Sequence, residues 1–246
     1  LICNTGESQK VVNTYARITE ILNAHSTDVD SVRVDTSIFE AGDTVLFIIM
    51  KGAEVYTPIN QAGFPEFWGM VSDLHNTGIY NIQLVHKVLD DIVIFKTALR
   101  KLEHGTPGEI AQLVKINGGK DVYRVDEPLT CLPWDPVKGT GGVIALMAGR
   151  KIVLNNTIDV SGKGFNGGDP NYTVNQIPSI DYFIGNCSEA VDSFYTETAD
   201  DSSGRKGENI VFEGFPYTRG RFYVTHGGGG GNGKYSGGGG GGNYGP

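Results

Sequence analysis

The chain is poor in the residues that usually announce chemistry. It has 5 histidines in 246 residues, and no two of them stand at H-x-x-x-H or H-E-x-x-H spacing, so a helix-borne zinc site is excluded. The G-x-S-x-G elbow of serine hydrolases is missing too. Cys3, Cys131 and Cys187 are the only cysteines. None is followed by a second Cys or His at metal-ligand spacing. An odd, sparse set allows a single disulfide and leaves one thiol over, with the pairing open. Asp90-Asp91 reads as a hairpin turn, and Asp200-Asp201 lies in a polar stretch. The two acids of a glycosidase need not be neighbours in sequence, but no feature of the sequence supports such a pair. No catalytic residue, cofactor-binding residue or metal ligand is assigned.

Basic charge is also short. The net charge is −8, with Lys and Arg scattered rather than blocked. Nucleic-acid binding through phosphate neutralisation is disfavoured, as is an anionic membrane surface. No apolar stretch is longer than Val45 to Met50, so no helical membrane span is expected. The sequence opens on Leu1 and reads as a mature or trimmed chain.

What is present is strand signal and glycine. Val11–Leu22 places Val12, Ala16, Ile18 and Leu22 on one face. Ser31–Asp35 alternates, and Thr44–Lys51 is a continuous apolar run suited to a strand buried on both faces. Further strands are expected at 79–88, 92–96, 110–116 and 122–125, each bounded by turn residues. Two weaker patterns, 64–76 and 96–104, suggest short helices. Many short strands punctuated by turns argue for an all-β barrel or sandwich over residues 1–130. Pro128, Pro133 and Pro136 crowd one short stretch and mark a boundary. Beyond it, Val143/Ala145/Met147, Ile152/Leu154 and Ile158/Val160 alternate, separated at Gly149-Arg150 and Asn155-Asn156. These pieces suit hairpins or the rungs of a β-solenoid-like region over 131–226, with a polar excursion at 171–204. SGKGFNGG, from Ser161, reads as a turn. Trp68 and Trp134 are core residues or plugs in one reading and sugar-stacking platforms in another.

Residues 227–246 form a glycine-rich segment. GGGGNGKY, from Gly228, is one residue from a phosphate loop, with Tyr235 in the Ser/Thr position. A run of glycines follows Lys234-Tyr235-Ser236, and it cannot start the helix that such a loop needs. Two readings remain. The runs 227–231 and 237–242 are flexible linkers, or they are extended three-residue-per-turn helices packed on one another, polyglycine II-like, each on the order of 15–19 Å long. In the second reading Asn232, Lys234, Tyr235, Asn243 and Tyr244 are the candidate surface-contact residues.

Several stretches resemble a Gly-rich module of very large Bacteroidota surface proteins, gliding-motility-type adhesins exported by the type IX secretion system. AGDTVLFIIMKGAEV, from Ala41, is similar to the family's GD-x-V-L-x-I-Q-M-K-G-A segment. CLPWDPVKGTGGVIAL, from Cys131, is similar to its P-W-[DN]-G-x-x-G-G-V segment. IDVSGKGFNGG from Ile158, KGENI from Lys206 and the paired glycine runs follow in the family's order. Ile49, Asp135-Pro136 and Asn209 depart from the pattern. The resemblance implies a non-enzymatic structural and adhesive module of a secreted adhesin, attached at the outer-membrane surface. Its implied partners are a surface polysaccharide or abiotic surface and other modules of the same long chain. The alternatives are a carbohydrate-binding or carbohydrate-active β-helix domain and, more remotely, a receptor-binding phage-tail tip. If the glycine runs are ordered, amide hydrogen exchange across 227–245 is slowed. Exchange of every glycine there at the free-peptide rate would overturn that expectation.

Overall fold

A computed structural model describes residues 8–22, 29–56, 70–99, 102, 108–167 and 207–211. The chain divides into two compact units, Leu1–Met50 with Asn76–Phe165, and Lys51–His75 with Asn166–Pro246. All regular elements among the described residues are strands. The all-β expectation holds.

The first unit is built on a closed six-stranded barrel. Its strands are β2 (Thr14–Leu22), β3 (Val29–Val34), β4 (Thr44–Lys51), β7 (Tyr80–Leu89), β8 (Ile92–Leu99) and β9 (Ile110–Lys115). They close in the order β2-β3-β8-β7-β4-β9, with β9 antiparallel to β2. Period-two alternation fills the interior. Val32, Val45, Phe47, Ile49, Val85 and Val93 are at most 1% exposed, each such side chain contributing about 1.5–3 kcal/mol. Asp90 turns the β7–β8 hairpin at φ 52, a left-handed conformation that Asp tolerates. The continuous apolar run of β4 is not buried equally on both faces. Val45, Phe47 and Ile49 are inside, whereas Leu46 and Ile48 are only half-buried outside.

Both expected helices are corrected where they are described. Residues 96–99 finish β8, which pairs with β3 through Val29↔Leu99. Residues 70–73 form β6 (Met70–Asp73), paired with β5 (Glu54–Tyr56). In each case ladder pairing outweighs a weak helical pattern.

A parallel ladder lies beside the barrel in the same unit. Strand β10 (Asn117–Val125) pairs parallel with β12 (Leu146–Leu154). Strands β1 (Lys10–Val11) and β11 (Leu129–Thr130) also pair parallel, and Leu129 bridges onward to Ile158. Gly149-Arg150 does not separate two strands as expected. β12 runs through it, and the irregularity is a register shift near Ala148. On either side of that shift, two successive passes of the chain keep the same offset. Gln112 bonds Gly141, Asp126 bonds Asn155 and Thr130 bonds Asp159, each pair 29 residues apart. The Trp134 N–H reaches the Lys163 carbonyl at 2.8 Å in the same register. The proline-rich stretch 128–136 lies inside this unit.

Side chains, rather than a backbone ladder, fasten residues 137–145 to the barrel. Gln112, fully buried, donates to the Gly141 carbonyl at 2.9 Å and accepts the Gly141 N–H at 2.9 Å. Asn13 donates to the carbonyls of Lys115 and Ala145 at 2.8 and 2.7 Å and accepts the Ala145 N–H. The Tyr15 hydroxyl donates to the Val143 carbonyl at 2.6 Å. Gly141 sits at φ +93, and a Cβ there would stand 2.2 Å from the Pro133 carbonyl oxygen, so only glycine permits the approach.

Gln112→Leu keeps most of the volume and strands two buried backbone groups at Gly141. Equilibrium denaturation is expected to show a loss of about 2–5 kcal/mol. Thr19→Val, at an exposed position, is expected to change stability by less than about 0.5 kcal/mol.

Candidate functional site

The barrel's interior columns change character at one end. Thr14, Asp43 and Lys115 stand on the same side of their strands as the core residues Ala16, Val45 and Leu113. Apolar filling thus gives way to a hydroxyl, a carboxylate and an ammonium. Thr14 and Lys115 are cross-strand partners, and Lys115 Nζ lies 2.8 Å from Asp43 Oδ2.

A tight turn holds the carboxylate in place. The Asp43 N–H bonds the Glu40 carbonyl at 3.1 Å, and Gly42 between them adopts φ +94, as a type II turn demands of its third residue. The Glu40 N–H returns a bond to Asp43 Oδ2 at 2.9 Å. Backbone bonds from Gly42 N–H to Val85 and from Val85 N–H to Asp43 tie the turn to β7.

These groups open into a pocket of about 600 Å³, within the range of small-molecule sites. Val12, Ile38, Ile116 and Met147 supply apolar wall, and Thr44 and Asn117 add a hydroxyl and an amide. Gly118 and Gly119 border it with bare backbone. The site offers a fixed acceptor beside a fixed donor, neutral hydroxyl and amide groups around them, and an apolar lining. Among the described residues no three His, Cys, Asp or Glu side chains are grouped so that they could hold a metal ion.

Sequence reading missed this place. It left Asp43 outside the strand Thr44–Lys51 and placed Lys115 near the end of the strand 110–116, with no role for either. The available signal was inward parity of charged residues at strand ends. The residues it did single out, Asn232, Lys234, Tyr235, Asn243 and Tyr244, lie outside the described residues, as do Trp68, Cys3 and Cys187. Trp134 is 4% exposed and packs edge-on against Phe165, ring centroids 5.1 Å apart. It is a plug and not an open stacking platform. Cys131 is a buried free thiol, and burial pushes it up from its ordinary pKa. Burial likewise pushes the neighbouring Tyr15 phenol up, so both stay neutral at physiological pH.

Three of the quoted motif strings meet in the second unit. Lys51, of IIMKGA, forms a buried ion pair with Glu208, of KGENI. Glu208 also accepts the N–H of Asn166, of GKGFNGG, at 3.1 Å, and its own N–H bonds the Asn166 carbonyl at 2.7 Å. The N–H groups of Gly52 and Ala53 both reach the Ile210 carbonyl, and Ala53 bridges Val211 in parallel.

No family model, curated protein or solved structure matches the chain.

The buried ion pair makes a local prediction. Lys51→Met leaves the Glu208 carboxylate buried without its ammonium and is expected to weaken the second unit by about 3–5 kcal/mol. Adding Glu208→Gln, which preserves an acceptor for Asn166, restores most of the loss. Hydrogen exchange at the Gly52 and Ala53 amides reports both changes.

Proposed function

We propose that the chain is a non-enzymatic structural and adhesive module of a large secreted surface protein, of the Bacteroidota adhesin kind that its motifs resemble. In this reading the barrel is a head, the parallel ladder is the start of a β-solenoid, and the glycine runs extend it as ordered polyglycine. The parent protein is held at the outer-membrane surface and contacts polysaccharide or abiotic surfaces.

The observation that carries the reading is the parallel 29-residue register from Asn117↔Leu146 to Leu129↔Ile158, which resumes after its shift at Lys120↔Ala148. Parallel layers in fixed register satisfy each other's backbone groups, and length grows by adding layers without enlarging a globular core. A displayed spacer needs that economy, since its task is reach and stiffness. The meeting of three motif strings at Lys51, Asn166 and Glu208 supports the resemblance as a structural one, because each string supplies a partner to the others.

The test uses the parent cell. Antibodies raised against the barrel are expected to label intact cells, external protease is expected to remove the label, and deleting the segment is expected to reduce attachment or gliding. A chain protected from protease in intact cells would overturn the reading. Cleavage of a polysaccharide by the purified chain would instead favour a carbohydrate-active domain.

A further inference from the structure

We propose that the barrel mouth binds a saccharide unit of a surface polysaccharide, with Asp43 and Lys115 as its paired acceptor and donor. The inference deepens the adhesive reading and rests on it for the source of the ligand. The chemistry stands on the site itself.

The interior of a small barrel is normally filled by side chains to its ends. Here the filling stops one layer short. Ala16, Val45 and Leu113 are 1% exposed or less, and the next positions outward are Thr14, Asp43 and Lys115, which border a pocket of about 600 Å³. The mouth of a β-barrel is a recurrent ligand position.

The polar groups select the ligand class. Asp43 Oδ2 and Lys115 Nζ are 2.8 Å apart, close to the spacing of neighbouring hydroxyl oxygens on a pyranose ring. One hydroxyl of such a pair donates to the carboxylate while the other accepts from the ammonium, and the ion pair need not separate. The pair is internally neutralised, which disfavours a strongly charged ligand: either sign of charge would compete with one partner. Thr14, Thr44 and Asn117 offer further neutral donors and acceptors. Ile38, Ile116 and Met147 give apolar wall for the C–H face of a sugar. Gly119 has no atom within 4 Å of a notional Cβ and adopts φ +84, leaving its backbone open to approach.

The experiment is saturation-transfer and amide-shift NMR on the purified chain, titrated with methyl glycosides of glucose, galactose, mannose and N-acetylglucosamine and with their β-linked disaccharides. Binding by at least one sugar is expected, with shifts centred on residues 42–44 and 115–119. Asp43→Asn and Lys115→Met are each expected to weaken it roughly tenfold or more, the cost of losing one charged hydrogen bond. Thr14→Tyr is a second probe. Thr14 is exposed, so the fold tolerates the ring, which occupies the mouth beside its cross-strand partner Lys115 and abolishes binding. No binding by any sugar, shifts centred elsewhere, or binding insensitive to all three substitutions would overturn the proposal. So would preferential binding of free amino acids at the same residues. Because the measurement needs no cell, its failure leaves the surface-display test standing, and failure of surface display leaves the measured binding intact.

Discussion

Strand β9 must be satisfied on both faces, and the first unit is arranged around that requirement. Ile110 to Val114 are all buried. Ala111 and Leu113 face the barrel core. Ile110, Gln112 and Val114 alternate with them on the other side, where a lone barrel would meet water. Gly139 approaches Ile110 so closely that a Cβ would lie 2.7 Å from its side chain, and Gly141 is clasped by Gln112. A buried amide with neither bond would cost about 1–3 kcal/mol for each group left unmade. The same strand closes the barrel through β2 and β4. The barrel therefore depends on its cover, and the cover on the barrel.

The fastening also explains the chemical character of residues 137–145. A backbone ladder would force this segment to run as a strand in hydrogen-bonding range of the barrel. Four side chains, Asn13, Tyr15, Arg17 and Gln112, do the work instead, reaching the backbone of Ala145, Val143, Val137 and Gly141. The arrangement tolerates a crossing path, and glycine is required at the points of closest approach. Gly139, Gly141 and Gly142 all adopt positive φ. The GTGGV string is thus read as contact geometry rather than flexibility.

Much of the barrel was legible in the sequence, because alternation and turn residues act locally. Thr44–Lys51 matched its strand fully, and the Asp90-Asp91 turn fell where expected. The burial of individual strands was less legible. The run TVLFIIMK looked doubly buried and is not, whereas IAQLVK, with a glutamine at its centre, is. Apolarity alone does not register a polar residue whose partners are distant backbone groups. The parallel register was hidden for a related reason. Residues 112–134 and 141–163 share little residue identity. They share character at stacked positions, such as Val125 over Leu154 and Leu129 over Ile158. The pocket was hidden because its residues gather from β2, β4, β9 and β10 only after closure.

The two passes of the parallel ladder differ in burial, and the difference bears on how such a ladder ends. Val125, Leu129 and Cys131 are at most 3% exposed, whereas Leu154, Ile158 and Val160, one register step on, are 64%, 38% and 42% exposed. The inner pass has a neighbour on each side where Leu129 lies between Lys10 and Ile158. The outer pass, among the described residues, has one. An edge of this kind invites further pairing, and proteins restrain it with charge and irregularity. β12 carries both, in Gly149-Arg150-Lys151 and a register shift beside them. Arg150 is held 3.2 Å from Asp121, so it reinforces the existing pair while its bulk and charge burden a mismatched one.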